Sequence, residues 1–518
     1  IRSYCDSNGD GYGDFRGLIS KLDYIAKLGV DAIWLSPVHP SPDRDWGYDV
    51  ADYDGVHPDY GTMADFDELL AEAHKRGLKI LLDEVLCHTS DEHAWFAASQ
   101  QPGSDKADWY VWADPQGDGS PPNNWLAVFG GPAWAYKPTR RQYYHHKFLR
   151  QQPKLNWHTP AAKAAALKVL DDWLVRGVDG FRLDVANAYL HDDKLRDNPA
   201  IPVEERTNAI WAHVTNFQRH IHDSNLEENK AELDVIRRTV DAHADRFVFG
   251  EFSEEFERSG AYLPSDKGLH AGYTFVMLVA RKLGPKFMRT HLADLAQYPD
   301  HWPCMSFSNH DVPRTVTRFS GKLEPNPPLA KLMLALLFAL RGTVLMYQGE
   351  ELGLPDSDLR RDQLRDPVGD LYYPVDKGRD GCRSPMPWTA EGKNFGFSSG
   401  TPWLPQNPAY RGLAASEQDG DADSTLNFAR RFLAARRESE ALRLGEITVL
   451  DVPDPILAFV RTHGGERVLC VLNMSDGAQV FAHDGLAAAK AMHIGCGEAL
   501  VSGGQLSLGP FAAWFGRL

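Results

Sequence analysis

The chain has 518 residues, with 43% hydrophobic and 24% charged residues and a formal net charge of −16. This is an ordinary globular balance over a length too great for one core, so a large domain with one or two smaller ones is expected. The negative charge disfavours nucleic acid and anionic membrane as partners and leaves neutral or cationic substrates open.

The first motif is Asp6-Ser7-Asn8-Gly9-Asp10-Gly11-Tyr12-Gly13-Asp14. Asp6, Asn8, Asp10 and Asp14 put oxygens at alternate positions, Gly11 suits a sharp turn, and Tyr12 offers its carbonyl. That is the front of a loop for a hard cation, calcium or alternatively magnesium. Gly17 stands where an EF-hand has its closing glutamate, so the loop is not an EF-hand. Its bland alternative is an Asn/Asp/Gly-rich surface turn.

Along the chain a helical pattern repeatedly ends in Gly and runs at once into a β-branched stretch. Gly29 precedes Val30 to Leu35, Gly77 precedes Leu78 to Val85, Gly177 precedes Val178 to Val185, and Gly342 precedes Thr343 to Tyr347. Continuous apolar strands after Gly-capped helices suit a parallel sheet covered on both faces. Leu18, Leu22, Ile25 and Leu28 share one helical face, as do Phe66, Leu69, Leu70 and Ala73. Phe247-Val248-Phe249 and Met305-Ser306-Phe307 are further strands, and a (β/α)8 TIM barrel fits the count better than a doubly wound open sheet. The richest apolar run, Leu329 to Leu340, holds Lys331 and ends at Arg341-Gly342, a buried helix and not a membrane span.

Two stretches break the rhythm. Residues 89–155, rich in Trp, Tyr, His, Pro and Gly, read as an inserted subdomain between barrel parts 1–88 and 156–442. A second long excursion covers 351–405, and 443–518 reads as a C-terminal antiparallel β-sandwich. The six cysteines are scattered without a CxxC pair, which fits a reducing, cytoplasmic setting. The chain begins at Ile1 and not Met, so a missing N-terminal piece is expected and secretion stays open.

Polar residues stand where the apolar strands run out: Asp83 with His88, Arg182 with Asp184, Glu251, and His310 with Asp311. Each alone reads as a cap or loop carboxylate, but a parallel barrel brings its strand ends to one mouth. Two carboxyls, one ionised and one protonated, are what glycoside hydrolysis with retention requires. Arg182 lies two residues before Asp184, so both point to one face, and it is expected to lower the pKa of Asp184. Glu251, on an apolar strand near other carboxylates, is expected to have a raised one.

These segments carry a resemblance. Asp83-Glu84-Val85-Leu86-Cys87-His88, Gly180-Phe181-Arg182-Leu183-Asp184, Phe249-Gly250-Glu251 and Ser308-Asn309-His310-Asp311 resemble, in order, the motifs of glycoside hydrolase family thirteen, the α-amylase superfamily. Gly47-Tyr48-Asp49-Val50, Tyr347-Gln348-Gly349-Glu350-Glu351 and the run Arg379 to Trp388 match its α-glucosidase and oligo-1,6-glucosidase group. The resemblance implies the barrel, with its first strand ahead of Ile1, the inserted B domain and the C-terminal β domain. It further implies Asp184 as nucleophile, Glu251 as acid/base and Asp311 as transition-state stabiliser. Asp49 and Arg379 are expected to pair across the closed end of a pocket, Tyr48 to stack on a terminal glucose, and His88 and His310 to donate to its hydroxyls. The metal loop is similar to one that binds a structural calcium or magnesium in the group.

Three residues depart from the pattern or bear on specificity. Cys87 replaces an Asn that ligates an interdomain calcium in many amylases, so that second metal is not expected. Lys154 replaces the Asp of the subgroup's Gln-Pro-Asp-Leu-Asn, and Val185 resembles α-1,6-specific members while leaving linkage undecided. The expected activity is an exo-acting, retaining α-glucosidase on short oligosaccharides, as monomer or homodimer. Sugar isomerases and transglucosylases share the machinery. A non-catalytic transporter heavy chain is disfavoured by the three carboxylates and by the lack of a visible anchor.

Overall fold

The computed structural model describes residues 1–206, 213–253, 267–280 and 283–518. Among the described residues seven parallel strands form the barrel: β1 (Ala32–Leu35), β2 (Lys79–Glu84), β6 (Gly180–Leu183), β7 (Phe247–Phe252), β8 (Ala271–Thr274), β9 (Cys304–Met305) and β10 (Thr343–Val344). The first five pair in that order, a parallel bridge from Gly272 to Pro303 leads on, and β9 pairs with β10. Helices Met63–Lys75, Pro160–Arg176, Asn229–Asp241 and Pro327–Ala339 alternate with the strands and cover the sheet. The chain is a TIM barrel with a C-terminal β domain. The strand expected ahead of Ile1 lies outside the described residues. A cavity of about 740 Å³ is lined by Leu35 of β1 and Val344 of β10, which end the curled sheet.

The helix ends follow the Gly pattern. Gly177 caps Pro160–Arg176 with φ 116°, a conformation costly for other residues. Gly180 opens β6 with φ 151°, and a Cβ there would meet the Phe247 carbonyl oxygen at 1.8 Å. Only Gly lets β6 approach β7. The face Leu18, Leu22, Ile25, Leu28 is buried as expected, but on two short helices, Phe15–Ile19 and Leu22–Leu28.

Within the inserted stretch, β3 (Trp112–Ala113), β4 (Trp134–Lys137) and β5 (Gln142–His145) form a small antiparallel sheet in the order β3-β5-β4. Beyond the barrel, β11 (Glu446–Val449), β12 (Ile456–His463), β13 (Glu466–Asn473), β15 (Lys490–Ala491) and β18 (Ala513–Arg517) form one sheet. A second contains β14 (Gln479–Ala482), β16 (Ala499–Ser502) and β17 (Gln505–Leu508). Leu469, Val471, Phe481, Leu506 and Leu508 share one apolar cluster that joins the two sheets. Among the described residues no helix is long and apolar enough to cross a membrane.

One joint ties the inserted stretch to the barrel. Lys154 is fully buried, and its ammonium donates to the carbonyls of Ala188 and Tyr189 (3.0 Å to the latter) and lies 3.4 Å from Cys87 Sγ. The two departures noted in the sequence are thus neighbours in space. Lys154→Met keeps the aliphatic bulk but leaves buried carbonyls without their donor, each costing about 1–3 kcal/mol. The variant is expected to unfold at lower temperature and lower urea than wild type; identical curves would contradict this role.

Candidate active site

At the C-terminal ends of β2, β6, β7 and β8 the register sets side chains side by side. Asp83 pairs with Arg182 across β2 and β6, and Glu251 with Tyr273 across β7 and β8. Arg182 is fully buried. Its Nη1 donates to Asp83 Oδ1 at 2.7 Å and to Asp184 Oδ1 at 2.8 Å, and its Nη2 lies 2.5 Å from Glu251 Oε1. Nε and Nη2 also donate to the Tyr273 hydroxyl at 3.2 and 2.9 Å, and that hydroxyl donates to Glu251 Oε1 at 2.8 Å. One guanidinium thus holds both expected reacting carboxyls.

Asp184 follows β6 directly and leads into a sharp turn, in which Val185 has φ 38°. The Val185 N–H donates to Glu251 Oε2 at 3.2 Å, and the Ala186 N–H to the Glu251 carbonyl at 2.9 Å. Burial pushes Asp184 up to about 7 against the pull of Arg182, so the lowering expected from the sequence is not what the structure gives. Desolvation of the charged form outweighs the ion pair because Asp83 and Asp311 add like charge to the same dry space. Glu251 is likewise pushed up to about 7 by burial, as expected.

Asp311 behaves oppositely. Burial alone would raise it, but His310, Arg379 and Arg383 hold it well below the usual carboxylate range. Arg379 Nη1 and Arg383 Nη2 reach its Oδ1 at 3.1 and 3.3 Å. His310 is depressed to about 3 by burial and stays neutral. Its ring stacks on Tyr48 at 5.3 Å and 9°, with Nε2 2.6 Å from the Tyr48 hydroxyl. That hydroxyl donates to Asp83 Oδ2 at 2.8 Å. His88 lies behind Tyr48, its Nε2 2.9 Å from the Tyr48 carbonyl, and its Nδ1 is buried without a hydrogen-bond partner among the described residues.

The expected pair of Asp49 with Arg379 is not formed. Arg379 Nη2 donates to Asp45 Oδ1 and to Asp366 Oδ1, both at 2.7 Å. Asp49 faces away, accepting from Ser41 Oγ and from the Arg44 and Asp45 N–H groups at 2.8, 2.9 and 3.0 Å. It shapes the turn that presents Asp45. Asp366 is fully buried, and although burial raises it, Arg379 holds it at about 2. Asp45, Asp366, Arg383 and Tyr273 were not singled out as site residues from sequence. Arg383 had a signal, standing inside the Arg379 to Trp388 run, and Asp45 stands just ahead of the Gly47 to Val50 motif; Asp366 and Tyr273 had none.

The N-terminal loop is closed by its own donors. Asp6 accepts from the Asn8, Gly9 and Gly11 N–H groups and from Ser398 Oγ, Asn8 accepts from Asp10 N–H, and Asp10 from Tyr12 N–H. Asp14 accepts from Ser7 and from Gly17 N–H, capping Phe15–Ile19. The donor set is all oxygen and suits a hard cation. Among the described residues, however, the three carboxylates do not gather within 4.8 Å of one another. Asp43, His57 and Asp59 do gather, and Arg2 already contacts that cluster at 2.8 and 3.4 Å.

Residues 1–445 match the family model described as alpha amylase, catalytic domain. The chain belongs to the alpha-amylase family. It is 48% identical over 485 residues to a probable alpha-glucosidase of Rhizobium meliloti (strain 1021), covering 92% of this chain and 88% of that one. An oligo-1,6-glucosidase of Parageobacillus thermoglucosidasius is 34% identical over 517 residues, covering 93% and 89%. Among solved structures, the alpha-glucosyl transfer enzyme XgtA superposes with TM-score 0.95 at 43% identity, covering 100% of this chain and 97% of that one. The trehalulose synthase MutB of Pseudomonas mesoacidophila MX-45 gives 0.90 at 31%, with coverage of 100% and 97%. The chain is thus a glycoside hydrolase of the α-glucosidase group of the alpha-amylase family.

The raised carboxyls carry a stability consequence. Glu251 rises from an ordinary value of 4.5 to about 7, so the folded state holds a proton that the unfolded state releases earlier. Its contribution to stability is present below about 4.5 and is lost as pH rises through about 7. Glu251→Gln is therefore expected to melt about 2 °C or more above wild type at pH 8, with little difference at pH 4. An equal shift at both pH values, read by calorimetry, would refute the linkage.

Proposed function

We propose that the protein is a retaining, exo-acting α-glucosidase that releases terminal non-reducing glucose from short α-linked oligosaccharides. The observation that carries this reading is the shared guanidinium of Arg182, which sets Asp184 and Glu251 beside each other at one barrel mouth. In the retaining sequence Asp184 attacks the anomeric carbon while Glu251 protonates the departing oxygen. Glu251 then takes a proton from water as the glucosyl ester breaks. Asp311, kept ionised by Arg379 and Arg383, stabilises the positive charge that develops on the sugar. Tyr48 offers a ring face to the terminal glucose, with His88 and His310 beside it, and the Asp45–Arg379–Asp366 set closes the end of the pocket. A closed end admits one glucose and supports the exo reading.

Release of α-glucose as the first-formed anomer from 4-nitrophenyl α-glucoside, followed by NMR, is the expected result; β-glucose formed first would end the retaining assignment. Asp184→Asn and Glu251→Gln are each expected to lower kcat by several orders of magnitude with the fold intact. A second reading, transfer or isomerisation, is favoured by the likeness to an alpha-glucosyl transfer enzyme and a trehalulose synthase. Incubation with sucrose and with maltose plus an added alcohol separates the readings: free glucose alone supports hydrolysis, and new glucosides support transfer.

The N-terminal loop, through Asp6, Asn8, Asp10, the Tyr12 carbonyl and Asp14, is the proposed seat of a structural calcium, with magnesium as the alternative. A bound cation would add charge balance to a turn packed on Ser398 and Thr401, far along the chain. Chelation is expected to lower the melting temperature by several degrees, with calcium restoring it, as for any ligand that binds the folded state alone. An unchanged melting curve with EDTA would remove the metal from the account.

A further inference from the structure

We propose that Tyr273 is a positioning residue that, together with Arg182, decides which oxygen of Glu251 carries the acid proton; this rests on Glu251 being the acid. The phenol oxygen of Tyr273 accepts from Arg182 Nε and Nη2 at 3.2 and 2.9 Å. A guanidinium only donates, so the single proton of the hydroxyl is directed to the acceptor beside it, Glu251 Oε1 at 2.8 Å. Oε1 also faces Arg182 Nη2 at 2.5 Å. The hydroxyl donor and the guanidinium charge therefore both face Oε1, and a proton placed there would point at N–H and O–H groups. Among the described residues, Oε2 accepts from the Val185 N–H alone, at 3.2 Å. The proton of the neutral acid belongs on Oε2.

The placement is built into the sheet. Glu251 and Tyr273 are direct partners across β7 and β8, and Tyr273 is buried beside Trp34, Phe249 and Phe275. In the bond-breaking step the Oε2 proton passes to the glycosidic oxygen, which keeps the electron pair of the broken C–O bond. The Asp184 carboxylate supplies the pair for the new one. Tyr273 takes no proton from the substrate; it removes the unproductive alternative and supports the carboxylate left behind.

Tyr273→Phe deletes the hydroxyl and keeps the ring, so the fold is retained. For methyl α-glucoside, whose leaving group needs a proton, kcat/KM is expected to fall about 10- to 100-fold. For 4-nitrophenyl α-glucoside, whose leaving group departs as a stable anion, kcat/KM should fall less than threefold. The alkaline limb of kcat/KM should move to higher pH, because Oε1 loses a donor that favours the ionised form. An equal loss on both substrates, or an unmoved limb, would overturn the proposal and leave Tyr273 as packing. Failure of the acid assignment itself reads differently: Glu251→Gln would then keep wild-type kcat/KM on methyl α-glucoside.

Discussion

The site depends on one buried cation shared among several carboxyls. Arg182 is out of contact with solvent and contacts Asp83, Asp184 and Glu251 while donating to Tyr273. A single positive charge cannot balance three negative ones in a dry pocket, where like charges a few ångströms apart repel strongly. The cheapest state keeps a proton on one of the carboxyls, and the raised values of Asp83, Asp184 and Glu251 express that shared constraint. Carboxyls pushed up toward neutral pH thus follow from a charge shortage, with Arg182 fixing where the shortage falls. Asp311 escapes because two more guanidiniums, Arg379 and Arg383, face it.

The strand-end residues were legible in the sequence because parallel strands buried on both faces are uniformly apolar. A charge at their C-terminal end stands out, and barrel geometry makes such ends neighbours. Asp184, Glu251 and Asp311 could be found that way. The ion pairs around Arg379 could not, because they are made by loops whose pairing has no periodicity. Asp45 and Asp49 flank the same turn, and nothing in their spacing says which faces Arg379. The structure decides it through hydrogen-bond supply: three local donors turn Asp49 inward to the loop, leaving Asp45 for the guanidinium. The pKa of Asp184 was misjudged for a related reason. Sequence shows the adjacent arginine but not the burial or the other acids sharing it.

Cys87 and Lys154 were read as two unrelated departures, yet Lys154 Nζ lies against Cys87 Sγ and two backbone carbonyls. Those carbonyls belong to Ala188 and Tyr189, in the segment that begins with the turn at Val185. Burial depresses the pKa of this ammonium, while Cys87 and Asp223 pull the other way. The same segment sends the Val185 N–H to Glu251. The inserted stretch and Glu251 are therefore linked through a few residues of backbone.

These features set fold and function against each other in a definite way. Packing at the mouth favours neutral groups, and a version with Gln for Glu251 would relieve desolvation, yet it could neither lend nor recover a proton. The barrel tolerates the cost because the strands carrying the charges are held elsewhere, by apolar clusters such as Leu82, Phe181, Leu183, Val248 and Phe252, all fully buried. Rigid strands keep Arg182, Tyr273 and Glu251 in register, so their hydrogen bonds need no reorganisation when a sugar arrives. Preorganised dipoles in a dry site are where electrostatic stabilisation of a transition state is strongest. The charge balance around Arg182 thus holds side by side the carboxyls that the proposed reaction uses.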